Sequence, residues 1–190
     1  MLKAGDILFF NRGNPNNKWY HKVFTCLQKK LDEGVIHVEI VVEELEDGRV
    51  LTLGSNADGT KYRFQIWNHR NVAVKTFKYD IENFDDIILK TYLNLKDDGE
   101  TKYDYKGLLN ATINQVMEKL TLSYWKKKNI FRNKENTFCS KFVIRCYKNA
   151  GITLNRKGED TLSENCTPGD IYKAYDFKFV KCFGEKIEKM

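Results

Sequence analysis

The first part of the chain alternates between short apolar runs and turn residues. Asp6 to Phe10 is an apolar run opened by a Gly5-Asp6 turn. Val35 to Val42 (VIHVEIVV) is apolar and β-branched, Glu46-Asp47-Gly48 supplies a turn, and Arg49 to Leu53 returns as a partner, so the pair predicts a hairpin. Tyr62 to Trp67 and Asn71 to Phe77 predict two more strands joined around Asn68-His69-Arg70. One stretch here has the other period: from Asn17 to Leu31, Trp19, Val23, Cys26 or Leu27, and Leu31 share a helical stripe.

Helical spacing dominates the second half. Phe84 to Asn94 and Asp104 to Leu120 both carry it, and the Asp104 carboxylate can accept the free N–H groups of a first turn. Phe138 to Ala150 is the clearest helix. Phe142, Val143, Cys146, Tyr147 and Ala150 line one face, and Gly151 stands where a left-handed cap belongs. Thr167-Pro168 opens a short helix, threonine as cap and proline at its first position. Phe177 to Phe183 predicts a last strand. Strands first and helices later predict an α+β fold, with helices packed on an antiparallel sheet.

The 190 residues fit one domain, 1–190, long enough to bury a core without staples. Neither repeats nor a Gly/Ser/Pro linker interrupts the pattern. The formal net charge of +6 is modest, with 26 acids among 32 basic residues. Only Lys126-Lys127-Lys128 forms a basic run. Nucleic acid is therefore not the expected partner, although an anionic surface or substrate is compatible with the charge. Five cysteines, an odd number without C-x-x-C spacing, argue against a disulfide framework or a thiolate metal site, and no cofactor is implied. The amino terminus lacks the pattern of a secretory signal, and no apolar stretch approaches the ~20 residues of a membrane span. A cytoplasmic location is the expectation; phage-encoded or injected proteins share these features.

Two residues stand out chemically. Cys139 falls in the first turn of the strongest helix, where unpaired N–H groups and the helix dipole favour a thiolate. The same periodicity places it on the stripe of Val143, Cys146 and Ala150, and taken alone it favours a core cysteine. Cys146, Cys26 and Cys182 fit a core role, and Cys166 lies in a polar loop. His37 interrupts an apolar strand, and Glu39, two residues on, points to the same sheet face. A strand holds an imidazole firmly enough for a general base. His21 is expected on a helix surface and His69 in a turn. A third group would orient the imidazole, and the candidates are Glu39 on the histidine's own strand and Thr52 on the returning one.

The order of these pieces resembles the circularly permuted branch of the NlpC-type papain-like superfamily, which includes YiiX-like proteins and lecithin:retinol acyltransferase-like enzymes. In that branch the histidine strand comes first and the cysteine helix late. Gly5-Asp6-Ile7-Leu8-Phe9 resembles its opening strand and Ile36-His37-Val38-Glu39-Ile40 its histidine strand. Tyr103-Asp104 is similar to the element before the nucleophile. Phe138-Cys139-Ser140-Lys141-Phe142-Val143 resembles the nucleophile helix, Ala150-Gly151-Ile152 its exit, and Thr167-Pro168-Gly169-Asp170 a Thr-Pro-x-Asp piece near the carboxyl end. The resemblance implies a papain-like fold in which Cys139 attacks a carbonyl and His37 shuttles the proton. Thr52 falls near the third catalytic position, which is usually His or Glu. Glu39 and Tyr103 are then expected to contact the substrate: a peptide, a cell-wall-like amide or a lipid acyl group. Lys141 stands where the family has a small or acidic residue. A degenerate module that binds peptide or lipid without turnover is the alternative, and a structural or nucleic-acid-associated protein a more distant one.

Overall fold

The computed structural model describes residues 1–11, 34–56, 58–102, 138–155, 161–164 and 166–185. The helices expected over 17–31 and 104–120, with His21, Cys26 and Tyr103, lie outside these residues.

The strands are β1 (Ile7–Phe10), β2 (His37–Glu44), β3 (Val50–Asn56), β4 (Gly59–Gln65), β5 (Val72–Phe77) and β6 (Phe177–Lys181). They form one sheet in the order β4-β3-β2-β1-β5-β6, and every neighbouring pair is antiparallel. The helices are α1 (Phe84–Asp97), α2 (Cys139–Asn149) and α3 (Pro168–Tyr172). The protein is thus α+β, with an antiparallel sheet and helices against it.

Short β1 lies inside the sheet, between β2 and β5. Ile7, Leu8 and Phe9 are all fully buried, which is why the strand reads as an apolar run rather than an alternation. Ile7 and Phe9 join Val38, Ile40, Leu53 and Ala73 in the cluster that receives the helices, while Leu8 joins Val41, Val50, Val72 and Val74 in a second cluster. β2 therefore divides its side chains between two buried layers.

Helix α1 buries Phe84, Ile88, Thr91 and Leu95, one stripe at helical spacing. Helix α2 buries Cys139, Phe142, Val143, Cys146 and Tyr147. It ends in a Schellman motif: Ile152 N–H donates to Tyr147 O and Gly151 N–H to Lys148 O, with Gly151 at φ 75°. The Tyr147 hydroxyl donates to Gly5 O at 2.6 Å, and Asn149 Nδ2 to Thr91 Oγ1 at 2.8 Å, fastening α2 to the amino terminus and to α1. At α3, Thr167 and Asp170 form a reciprocal capping box.

Several elements run longer than the apolar pattern implies. β3 continues past Leu53 through Gly54 and Ser55 to Asn56, and β4 begins at Gly59. Gly54 and Ser55 are small and buried, so they break the apolar pattern without ending the strand. α1 continues three residues beyond Asn94.

Candidate active site

His37 is the first residue of β2, paired with Phe10, and the two rings pack at 5.6 Å between centroids. Cys139 is the first residue of α2. Although 102 positions separate them, the fold brings the imidazole and the thiol close enough for each to influence the other's charge. The N-cap position before Cys139 is Phe138, in extended conformation, and no side chain caps the helix start. The first-turn N–H groups are therefore not taken up by a capping oxygen. Ser140 Oγ donates to Cys166 O at 2.6 Å, tying this helix start to the segment before α3.

Glu39 is the other part of the site, and its surroundings were not foreseen. Its side chain is only 1% exposed. His37 Nε2 lies 3.1 Å from Oε1, and Asn56 Nδ2 donates to the same oxygen at 3.1 Å. Thr52 Oγ1 donates to Oε2 at 2.6 Å and Gln65 Nε2 at 2.9 Å. Arg63 Nη1 stands 3.8 Å from Oε1. A carboxylate enclosed by donors is stabilised in its charged form. Burial would raise its pKa, but hydrogen bonding and attraction to His37, with help from Thr52 and Arg63, bring it down to about 2. Because the ionised carboxylate only accepts, the Nε2 that faces it carries a proton.

Burial would depress His37 likewise. Attraction to Cys139 and the hydrogen bond to it, followed by the same two contributions from Glu39, outweigh burial and raise the imidazole to about 10. His37 keeps 18% of its side-chain surface, whereas Cys139 keeps none. An external carbonyl therefore reaches Sγ only after neighbouring groups move aside.

These positions show what the other expected residues touch. The Thr52 hydroxyl hydrogen-bonds Glu39 and Arg63 O, so it supports the carboxylate rather than touching His37. Both Glu39 oxygens accept from protein donors. Tyr103 lies outside the described residues. Cys166, expected in an exposed loop, is 6% exposed and belongs to the core, while Cys182 is only partly buried. His69 is in the expected turn, its Nδ1 accepting from Asn71 N–H. Lys141, in the first turn after Cys139, is buried.

Asn56, Gln65 and Arg63 escaped notice in the sequence because their relevance depends on β3–β4 register. Thr52 pairs with Arg63, and Asn56 with Gly59. Gly54 gives Glu39 its path: a Cβ there would stand 2.6 Å from Glu39 Cγ. Thr52 and Asn56 on β3, with Arg63 and Gln65 on β4 beyond it, all turned toward an acid on β2, are the signal that a known register would have exposed.

A cavity of about 170 Å³ bordered by Asp6, Phe77, Phe84 and Tyr147 lies elsewhere; neither Cys139 nor His37 lines it. Among the described residues, no group of three His, Cys, Asp or Glu side chains could hold a metal ion, and no helix is long and apolar enough to cross a membrane. Comparisons with protein-family models, with curated proteins and with solved structures find no match.

Proposed function

We propose that the chain is a papain-like cysteine hydrolase or acyltransferase of the permuted NlpC-type arrangement, with Cys139 as nucleophile, His37 as base and Glu39 as the orienting carboxylate. The observation that carries this reading is an imidazole held at 3.1 Å by a buried carboxylate, with the thiol at the start of α2 near enough to raise its pKa. Nucleophile, base and orienting group joined in sequence are what covalent acyl transfer requires.

In the first half-reaction, the thiol proton first passes to His37, and Cys139 Sγ then attacks the carbonyl carbon of an amide, ester or thioester. The resulting oxyanion is stabilised by the Cys139 N–H at the helix start, a type of donor that contributes about 3 kcal/mol in other enzymes. Collapse breaks the bond to the leaving group, which takes the proton from His37, and Cys139 is left acylated. In the second half-reaction, His37 removes a proton from water or from an amine or alcohol as it attacks the thioester. Sγ then leaves, and the proton held by His37 is shared with it again, which restores the starting pair. Water as acceptor makes the chain a hydrolase, and an amine or alcohol makes it a transferase. Peptide, cell-wall-like and lipid acyl groups all suit this chemistry.

Incubation with p-nitrophenyl acetate, followed by intact-mass analysis and peptide mapping, tests the reading. An acetyl group on Cys139, absent in Cys139→Ala and strongly reduced in His37→Ala, is the expected outcome. Acetylation spread over lysines, with none on Cys139, would reject it. One observation favours a second reading, a module that binds peptide or lipid without turnover: Cys139 has no exposed surface. In that case the same experiment leaves Cys139 unmodified.

A further inference from the structure

Strand β6 is the outer strand of the sheet beyond β5, and several large apolar side chains gather on it. Tyr175 is 50% exposed, Phe179 49% and Val180 41%. Phe179 and partly buried Phe183 both pack against Tyr172. Two exposed lysines lie nearby: Lys78 lays its ammonium 4.9 Å over the Tyr175 ring, and Lys178 lies on β6 between buried Phe177 and exposed Phe179, its side chain on the opposite face of the strand. Two more ammonium groups lie beneath. Lys75 Nζ sits 4.3 Å over the Phe179 ring, and Lys181 donates to the carbonyls of His69 and Val72. Of the nearby acids, Asp176 is buried and accepts from Asn155 N–H, and Glu185 is exposed.

We infer that this edge docks the protein on an anionic lipid surface, its aromatic and aliphatic side chains entering the headgroup region and Lys78 and Lys178 meeting lipid phosphate or carboxylate. Amphipathic rings with long-stemmed cations beside them are the chemistry of a membrane interface. The alternatives fit less well. Pairing with an added peptide strand is opposed by a five-residue strand, a register shift between Val74 and Lys75, and a lysine on the free edge. Nucleic acid would use the lysines and rings but gains nothing from Val180. Docking goes beyond the proposed chemistry and does not require it.

Flotation with phosphatidylcholine vesicles, with and without about one-third phosphatidylserine, tests the inference, with circular dichroism confirming that each variant is folded. The wild-type chain is expected to float with the anionic vesicles and to detach as salt rises. The double variant Lys78→Glu/Lys178→Glu is expected to lose partitioning by about 25-fold or more, at roughly five-fold per lysine. Val180→Ser, which opens no core, weakens it as well, whereas Leu89→Ser on exposed α1 does not. Absence of wild-type binding, or binding untouched by the β6-edge variants, would overturn the inference. Tighter binding to a single-stranded oligonucleotide, lost with the lysines but kept in Val180→Ser, would overturn it in favour of nucleic acid. Cys139→Ala floats as wild type does, so failure of the chemistry and failure of docking are read separately.

Discussion

Replacing Glu39 by glutamine changes one oxygen for an amide nitrogen and tests whether the carboxylate supports both fold and base. Its oxygens accept from His37, Thr52, Asn56 and Gln65, and an amide supplies one acceptor oxygen and turns an N–H₂ group toward donors. At least two charge-assisted bonds are lost, and the partners left unpaired are buried; a cost of about 3–5 kcal/mol is typical of such a break. Linkage gives a similar size: lowering the pKa from 4.5 to about 2 corresponds to about 3 kcal/mol at neutral pH. The folded-state pKa is the depressed one, so this contribution is complete above pH 4.5 and lost as pH falls through about 2. Urea denaturation of both proteins from pH 7 to pH 3 reads it out. The expected gap is about 3 kcal/mol at pH 7 and less than half of that near pH 3. In the same variant His37 loses its counter-charge and titrates lower, as histidine NMR resonances would report. A gap below about 0.5 kcal/mol, the range of an ordinary surface substitution, with an unchanged His37 titration would refute the network.

Four other outcomes follow from the same contacts. Cys139→Ser removes the largest influence raising His37, so its titration midpoint should fall from about 10, and further than it does in Glu39→Gln. Because the folded-state pKa is the raised one, the histidine's stabilising contribution is complete below pH 6.5 and lost as pH rises through about 10; denaturation of Cys139→Ser should show a weaker decline over that window. Gly54→Ala would place a Cβ 2.6 Å from Glu39 Cγ, so a loss of about 1–3 kcal/mol is expected in urea, along with reduced acetylation of Cys139. Tyr147→Phe removes the 2.6 Å bond to Gly5 O and should lower stability by about 1–2 kcal/mol while acetylation proceeds.

How far the sequence discloses this arrangement differs from residue to residue. The strand at His37, the helix at Cys139 and the caps at Gly151 and Thr167 are local matters, written in β-branched runs, 3.6-residue spacing and capping residues. Glu39 could be seen as sharing a face with His37, because i and i+2 always do on a strand. Its choice over Thr52 as the group touching the imidazole could not be read the same way. Thr52 sits opposite Val41, so its hydroxyl reaches back to Glu39 rather than forward to the ring, and only the β2–β3 register fixes that. Asn56 and Gln65 depend on yet another register. Cys166 misled for a related reason: its polar neighbours suggested exposure, but packing at the start of α2 buries it.

The central claim, that His37 activates Cys139, is most directly tested by alkylation rates read cysteine by cysteine. Iodoacetamide at pH 6, quenched at intervals and mapped by mass spectrometry, compares Cys139 with partly buried Cys182 in the same chain. Cys146 serves as the inert reference, its thiol pushed far up by burial. Cys139 is predicted to react fastest in the wild-type chain and to fall to or below the Cys182 rate in His37→Ala. A Cys139 no faster than Cys182 in the wild-type chain, or indifferent to loss of the imidazole, would contradict the account.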